Sequence, residues 1–451
     1  MAEQQRIAVV GAGLAGLAAA LDLKDAGASV ELFERSRLLG GRATSFEIDG
    51  REVDNGQHVF LACCTEFVAF ARRVGMEHVL HLQDRFDALV LARDGTSGHL
   101  RASDLPAPFH LLASFARYPH LSLGGKLRVG RALVSALLSK ARPAAAADDE
   151  TFEDWLERTG QNAQTRRAFW DPFFIPALNA PFGRVSRADA TFVLSTAFLS
   201  EPGAARFGFS TVPLAHLAQA AADRLDAVRL ASPVVGVTLD RARNRPIVLH
   251  LLGDRSIGDF DGVVLAVPPR ALGKLLGDAR PYGIENLDSF EPYPIVDVHL
   301  WHDGPTIEVD FAAALDSPLQ WIFEKTPGYL CCSFSAADEY LRLSTGELEA
   351  LAWREVCSFV PALRGTKLLS TAVTRNPDAT YLPRAGATRP SQTTAEPAVV
   401  IAGGWTDTGG WPDTMESAVR SGAYAARALQ RSLAARPERA PTATPLPSRA
   451  S

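Results

Sequence analysis

The chain opens with an apolar run that glycines interrupt at a fixed spacing. Arg6–Val10 has the pattern of a buried strand, Leu14–Asp25 the length and apolar content of a helix, and Ser29–Phe33 the pattern of a second strand. A strand, a glycine turn, a helix and a second strand make one crossover unit of a parallel sheet. The sequence therefore predicts an α/β domain whose first strand begins at residue 6.

Similar patterns return far along the chain. Val228–Leu239, Ile247–Leu252 and Gly262–Val267 are strand-like, and a final strand, Ala398–Ala402, precedes a predicted helix, Thr414–Leu429. We expect these segments to complete the opening domain, and the stretches between them to build a second domain of mixed sheet and helix. The predicted fold class is therefore α/β combined with α+β.

This grouping gives the predicted domain boundaries. The first domain takes residues 1–65, 205–275 and 395–435. The second domain takes residues 66–204 and 276–394. Ala141–Asp149 is predicted to be a linker or exposed loop, and residues 436–451, rich in Pro, Ala and Arg, a disordered tail.

Composition narrows the class of protein. The 451 residues suffice for two or three domains, and the net charge of −5 gives no reason to expect a nucleic-acid partner. The five cysteines form no CxxC and no zinc spacing, so we expect no metal and a reduced, cytoplasmic compartment. The run Ile7–Leu21 resembles a short signal peptide, but its fixed glycine spacing disfavours that interpretation.

The turn after the first strand carries Gly11, Gly13 and Gly16. In a GxGxxG turn the first glycine permits the tight bend, the second lets the backbone approach a pyrophosphate, and the third lets helix and sheet pack closely. The helix start, which includes Ala15, offers N–H groups to phosphates. Glu34 ends the second strand, where its carboxylate can bind a ribose diol and repel the 2′-phosphate of NADP. The pattern predicts a dinucleotide site; packing alone is the alternative.

A second glycine pair follows Glu34. Gly40 and Gly41 would let the chain run along a cofactor, and Arg42 could pair with its phosphates. The order of GxGxxG, glutamate and GGR resembles the flavin-dependent amine oxidase and phytoene desaturase superfamily. The resemblance implies FAD as the cofactor. Covalent attachment would need a cysteine near the C-terminal helix, and none follows Cys357, so we expect non-covalent FAD.

The resemblance also assigns cofactor contacts further along the chain. The DNGQH motif provides contacts near the flavin ring through Gly56, Gln57 and His58. The C-terminal loop and the start of the following helix provide Gly404, Trp405, Asp407, Thr414 and Met415, and the middle strands provide one further contact, Val235. The helix is expected to start at Asp413 or Thr414, with Glu416 placed for a capping box. The superfamily has an acidic residue at the position of Gly404. Its absence either lowers flavin affinity or is compensated by Asp407.

Four blocks narrow the resemblance to the hydroxysqualene dehydroxylases. They are Asp54–Gly75, the Pro-Ala-Leu-Asn segment ending at Asn179, Tyr293–Trp301 and residues 403–422. The resemblance implies that a lipophilic isoprenoid, hydroxysqualene, loses its hydroxyl group to give squalene for hopanoid synthesis. An acid would protonate the departing oxygen, and hydride from N5 of reduced FAD would quench the allylic cation. No second GxGxxG follows, so electrons would come from visiting NAD(P)H or a reductase.

Such chemistry needs a proton donor and an apolar channel. His58 and Asp54 are the donor candidates, His58 because imidazole titrates near neutral pH; bracing of the FAD loop is the alternative. His299 and His302 are interpreted as structural. An aromatic group is the candidate channel, with core packing as the alternative: Phe169, Trp170, Phe173, Phe174 and Phe182, with Phe207 and Phe209 as further members.

The stretch between Asp104 and Asp148 holds no acidic residue. Its basic residues are Arg117, Lys126, Arg128, Arg131, Lys140 and Arg142, and Leu127, Val134, Leu137, Leu138 and Ala141 can share one helical face. A basic amphipathic helix suits an anionic membrane, so we expect peripheral contact with the inner face of the cell membrane; a solvated helix face is the alternative.

Two other functions stay open at this point. An isoprenoid desaturase or amine oxidase of the same fold would carry the same flavin motifs. A non-catalytic prenyl-chain carrier, like the Rab escort and dissociation-inhibitor proteins, would reuse the fold without bound flavin. The intact GGR and C-terminal loop favour an enzyme over a carrier.

Overall fold

A computed structural model of the chain describes residues 4–139, 149–240, 247–307 and 310–435. The predicted tail, residues 436–451, and all but Asp149 of the predicted linker lie outside the described residues. The strands are β1 (Arg6–Val10), β2 (Ser29–Phe33), β3 (Ser45–Ile48), β4 (Arg51–Asp54), β5 (Val59–Leu61), β6 (Leu80–Leu82), β7 (Asp87–Leu91), β8 (Ser97–Arg101), β9 (Phe207–Ser210), β10 (Ala227–Arg229), β11 (Val234–Leu239), β12 (Ile247–Leu251), β13 (Arg255–Phe260), β14 (Gly262–Leu265), β15 (Phe290–His302), β16 (Phe311–Ala314), β17 (Trp321–Thr326), β18 (Tyr329–Ser335), β19 (Leu368–Pro383) and β20 (Val399–Ile401).

The helices connect these strands and cover the sheets. They are α1 (Leu14–Asp25), α2 (Thr65–Arg73), α3 (Leu112–Arg117), α4 (Leu123–Ser139), α5 (Phe152–Arg158), α6 (Ala163–Thr165), α7 (Asp171–Leu178), α8 (Arg187–Val193), α9 (Ala215–Ala222), α10 (Pro269–Leu276), α11 (Thr345–Phe359) and α12 (Met415–Ala434). Two π-helical stretches, Arg166–Trp170 and Leu194–Leu199, adjoin α7 and α8. Among the described residues, no helix is both long and apolar enough to cross a membrane.

A five-stranded parallel sheet joins distant parts of the chain. Its order is β10-β2-β1-β14-β20, so β1 lies between strands that begin at residues 29 and 262. β1 is buried from Ile7 to Val10, as expected for a parallel strand with helices on both faces. Helices α1 and α12 pack closely because a Cβ built at Gly422 would lie 2.2 Å from the Ala15 carbonyl oxygen. The predicted bounds of β1, α1 and β2 are confirmed.

One predicted strand proves to be two. Val228–Leu239 divides into β10, which pairs with β2 in the parallel sheet, and β11, which pairs with β12 in a separate antiparallel sheet. The break falls at Ala231, whose φ is 48°, and at Pro233, which has no N–H to donate to a ladder. Apolar content alone does not mark such a change of sheet.

A seven-stranded mixed sheet forms the other large layer. Its order is β19-β15-β18-β17-β16-β7-β8, antiparallel except for the pair β16 and β7. Helix α11 packs on one face, and α7 approaches the sheet near β16 and β18. A small antiparallel sheet, β5-β9-β6, begins directly after the DNGQH motif with β5 and contains Phe207 on β9. The predicted fold class, a Rossmann-type domain built from separate segments plus a mixed sheet-and-helix domain, is confirmed; the exact boundaries stay a prediction.

Candidate active site

The turn between β1 and α1 is shaped as a cradle of backbone. Gly11 has φ of 107°, and a Cβ there would lie 2.3 Å from the Ala266 carbonyl oxygen; a Cβ at Gly16 would lie 1.9 Å from the Gly11 carbonyl oxygen. Gly13 forms a bridge with Gly40. Helix α1 has no side-chain cap at Gly13, and no acidic residue lies in its first turn. Its first N–H groups therefore suit an anionic phosphate.

Glu34 lies directly beside this turn. Its carboxylate accepts hydrogen bonds from the N–H groups of Ala12 and Ser36, each at 2.8 Å. The residue is buried at the end of β2. Ala15 is buried on α1, whereas Val235 is 49% exposed on β11, in a different sheet from Glu34. The structure thus places Glu34 with the glycine turn and leaves Val235 in another sheet.

A cavity of about 250 Å³ is lined by residues of the DNGQH motif and of the start of α12. Its wall is mostly apolar, and several predicted residues line it: Gln57, His58, Thr414, Met415, Phe173, Phe174 and Phe207. The side-chain Oε1 of Gln57 is buried, and no described residue forms a hydrogen bond with it. An apolar wall with a few convergent polar groups is typical of a small-molecule site.

The aromatic group of the sequence divides between this wall and the core. Phe173 and Phe174 line the cavity. Trp170 is buried and donates to Gln161, and Phe182 packs edge-on against Phe152. The rings of Phe169 and Phe115 are in edge contact. Phe209 pairs with His81 and is absent from the wall, whereas Phe207 belongs to it. Core packing therefore accounts for Phe169, Trp170 and Phe182.

The N-terminus of α12 reaches the same cavity. Thr414 is the N-cap residue and forms a capping box with Ser417, not with Glu416 as the sequence predicted. Glu416 instead accepts hydrogen bonds from the N–H groups of Glu66 and Phe67, at 3.2 and 2.8 Å, and so caps helix α2. The reason is positional: Ser417 is the third residue of the helix, which is where a capping box is closed.

The side chain of Asp413 occupies the space that an acidic side chain at position 404 would need. A Cβ built at Gly404 would lie 2.1 Å from Asp413 Oδ1, so an acidic side chain has no room there. Both Asp413 oxygens accept from Arg42, at 2.5 and 2.9 Å, and Oδ2 also accepts from the Tyr381 N–H. Asp407 is exposed and accepts from the Gly409 N–H. The carboxylate that lies at this position is therefore Asp413, and a compensating role of Asp407 stays a prediction.

Trp405 contributes no ring to the cavity. Its indole is fully buried, donates to the Val267 carbonyl oxygen at 3.0 Å and packs edge-on against Phe290. A contact of Trp405 with a cofactor would have to come from its backbone. The same holds for Gly404, which has no side chain.

The two candidate proton donors have unfavourable pKa values. Burial lowers the pKa of His58 to about 4, so the expectation that it titrates near neutral pH is wrong. Burial alone would raise the pKa of Asp54, but the ion pair with Lys325, at 2.7 Å, lowers it overall. Asp54 Oδ1 also accepts from the Leu214 N–H. The donor roles of His58 and Asp54 stay predictions. Because both pKa values are lowered, both groups are deprotonated at neutral pH and have no proton to donate.

A different carboxyl group has the pKa that an acid needs. Asp297 is 1% exposed on β15, and burial raises its pKa to about 6 despite hydrogen bonds from the Ser333 hydroxyl and the Gln57 N–H. Its Oδ2 has no hydrogen-bond partner among the described residues and lies against Gly56. Ser333, directly opposite on β18, lines the cavity. Asp297 and Ser333 thus connect a protonatable group to the cavity wall.

Comparison with known proteins identifies the family. The model of the family "Flavin containing amine oxidoreductase" matches residues 14–430. The chain belongs to this family. It is 26% identical to the hydroxysqualene dehydroxylase of Zymomonas mobilis over 93% of this chain and 97% of the relative, and 28% identical to that of Sinorhizobium fredii over 94% and 97%. The expected resemblance to hydroxysqualene dehydroxylases is confirmed.

The fold of this flavin-dependent oxidoreductase also matches solved structures. Wild-type putrescine oxidase superposes with a TM-score of 0.73 at 18% identity, covering 94% of this chain and 98% of that one. FAD is the cofactor, and the residues fit it: the glycine cradle suits the pyrophosphate, Glu34 the adenosine ribose, and the start of α12 the flavin ring. The described residues hold no cluster of three or more potential metal ligands.

The sequence did not reveal Asp297, Ser333 or Lys325. Asp297 did leave a signal, since a carboxylate at an inward position of the apolar strand Tyr293–Trp301 is costly unless it has a partner. Its partner is 36 residues away, and only the strand register brings the two side chains together. Lys325 meets Asp54 across 271 residues, which no local pattern indicates.

Proposed function

We propose that this FAD-dependent oxidoreductase removes the hydroxyl group of hydroxysqualene and releases squalene. The observation that carries the proposal is the pairing of an apolar cavity with the buried carboxyl of Asp297, which contacts the cavity-lining Ser333. The likeness to proteins named hydroxysqualene dehydroxylase over more than nine-tenths of the chain supports it.

The proposed reaction balances with one proton and one hydride. The C–O bond of the substrate breaks as its oxygen takes a proton and leaves as water, and the allylic carbon accepts hydride to form a C–H bond. Reduced FAD supplies this hydride when bound and ends oxidised. NAD(P)H or a reductase restores the electrons.

The chain supplies the proton through Asp297 and Ser333. Protonated Asp297 faces the Ser333 hydroxyl, which lies at the cavity wall and can pass a proton to a substrate oxygen. Lys325 stays paired with Asp54, so its positive charge is largely compensated near Asp297. Apolar residues of the wall, Phe173, Phe174 and Trp321 among them, exclude water from the cation.

Product analysis tests the proposal. Enzyme loaded with FAD and supplied with a chemical reductant should convert hydroxysqualene to squalene, identified by mass spectrometry. Enzyme with oxidised FAD and no reductant is the control and should form no squalene, because oxidised flavin has no hydride to donate. Oxidation of a saturated isoprenoid to a conjugated polyene, or of an amine to an aldehyde, with no squalene formed, would replace the dehydroxylase assignment by a desaturase or an amine oxidase.

A further inference from the structure

Helix α4 presents an apolar stripe to the surface. Leu123, Leu127, Val134 and Leu138 are 75%, 69%, 55% and 75% exposed. Their spacing places the four side chains within about 60° of one another around the helix axis. The opposite face buries small residues and one valine: Gly125, Val129, Ala132 and Ala136. The helix is therefore held by these residues together with the partly buried Leu133 and Leu137, the latter of which was predicted on the exposed face, and its four exposed large side chains mark an interaction surface.

The preceding segment extends this apolar surface. Phe109 and Leu112 are 56% and 57% exposed. Lys126 Nζ of α4 donates to the Ala116 carbonyl oxygen of α3 at 2.7 Å, which ties the two helices together. We call Phe109, Leu112 and the four residues of the α4 stripe the apolar surface.

Basic residues flank the stripe on both sides. On the helical wheel of α4, Lys126 lies beyond one edge of the stripe and Arg131, then Arg128, beyond the other. Arg128 and Arg131 donate to the carbonyl oxygens of Gly160 and Arg158, at 2.8 and 3.5 Å. No acidic residue occurs in the sequence from 105 to 147. The charge of this region is thus positive around an apolar centre.

We propose that the apolar surface docks the enzyme on an anionic lipid bilayer. Leucine side chains would enter the acyl boundary while Lys126, Arg128 and Arg131 meet acidic headgroups. A second copy of the chain is a poor occupant, because a two-fold contact would bring these same basic residues against their own copies.

The docked helix also adjoins the cavity. The buried face of α4 packs against the π-helical stretch Leu194–Leu199, and Thr196, Ala197 and Phe198 of that stretch line the cavity. An apolar substrate dissolved in a bilayer would therefore be bound close to the site that uses it. Membrane docking requires only the apolar surface and its basic flanks, so the vesicle experiment tests it independently of the substrate proposed above.

Vesicle sedimentation tests the proposal. FAD-loaded full-length enzyme should pellet with vesicles of phosphatidylcholine and phosphatidylglycerol, and much less with phosphatidylcholine alone. The double variant Leu127→Ser/Leu138→Ser should bind the mixed vesicles about tenfold or more weakly, because two apolar side chains no longer insert. The double variant Arg128→Gln/Arg131→Gln should lose about tenfold, and high salt should weaken wild-type binding.

Matched control variants distinguish docking through the apolar surface from nonspecific adsorption to vesicles. Leu252 is 65% exposed away from this surface, so Leu252→Ser should leave vesicle binding unchanged, as should Lys367→Gln. All variants should retain flavin absorbance per chain. Equal pelleting of wild type and the leucine double variant would overturn the proposal. So would a dimer in solution that this double variant converts to a monomer without changing vesicle binding, because the surface would then be a contact between copies.

Discussion

Arg42 and Asp413 form a two-point ion pair that joins the glycine-rich segment after β2 to the start of α12. The Arg42 nitrogens lie 2.5 and 2.9 Å from the two Asp413 oxygens, across 371 residues of sequence. The Asp413 side chain is 1% exposed and that of Arg42 31%. The pair fixes the start of α12 against the glycine segment that precedes Arg42, where the sequence led us to expect Arg42 to meet a phosphate. Either role makes the geometry of the flavin site depend on Asp413.

We predict that Asp413→Asn weakens FAD binding and lowers stability. The substitution leaves Arg42 facing a neutral amide and removes the negative charge that lies beside Gly404. We expect it to lower the free energy of unfolding by about 1–3 kcal/mol. Flavin retained per chain after gel filtration and the melting temperature with and without FAD are the readouts. Asp407→Asn is the control and should change neither; a reversed ranking of the two variants would make Asp407 the compensating residue after all.

Two glutamates, Glu31 on β2 and Glu34 directly after it, provide a matched pair for the adenosine end of the site. Glu34→Gln should weaken FAD binding by about tenfold, because a charged acceptor for the ribose is lost while the side chain keeps its size. Glu31 is buried on β2 but pairs with Arg6 and Arg229. Glu31→Gln should therefore lower the melting temperature with little change in the Kd for FAD, measured by calorimetry. Equal FAD affinity in wild type and Glu34→Gln would remove Glu34 from the site.

Asp297→Asn should slow substrate reduction by about 10²–10⁴-fold while FAD stays bound. The protonated carboxyl is the active form, so the wild-type rate should fall as pH rises through the pKa of Asp297, about 6. The variant should lose this pH dependence, and Ser333→Ala should resemble it in rate. The test is the rate of flavin reoxidation by substrate in single turnovers across pH. A variant that keeps both the wild-type rate and its pH profile would exclude Asp297 as the proton source.

His299 makes the stability of the fold depend on pH. It is fully buried, its Nδ1 lies 2.8 Å from the Tyr329 hydroxyl, and burial lowers its pKa to about 4. Between pH 4 and 6.5 the unfolded chain binds the proton more readily, so this contribution to stability is lost as pH falls through that window, on the order of 3 kcal/mol in total. Asp297, with its raised pKa, acts in the opposite direction over much of the same range.

The difference between wild type and His299→Gln isolates this effect. We expect the free energies of unfolding in urea to diverge most at pH 6.5, where wild type holds a neutral buried imidazole, and to converge near pH 4. A pH-independent difference would mean that His299 contributes through packing and its hydrogen bond to Tyr329 alone.

The parts of the fold that the sequence revealed are those with local causes. The bounds of β1, α1 and β2 follow from strand and helix periodicity and from a turn that only glycines can make, and all three are adjacent in sequence. Asp413 could not be assigned in this way. Its place beside Gly404 depends on where α12 begins and on Arg42 at the other end of the chain.

The polar groups of the site illustrate the same limit. His58 was predicted to titrate near neutral pH because its residue type does so in water, but burial in the finished fold sets its pKa. Asp297 gains its raised pKa and its Ser333 partner from the packing of β15 against β18. Motifs identify which cofactor is bound, whereas the protonation of individual groups follows from tertiary burial.

An anaerobic single turnover tests the central claim most directly. Enzyme whose FAD has been chemically reduced is mixed with hydroxysqualene in the absence of oxygen and of further reductant, while flavin absorbance and product are followed together. We expect the oxidised flavin spectrum to return with one squalene formed per flavin reoxidised. A flavin that stays reduced while hydroxysqualene remains intact would contradict the account.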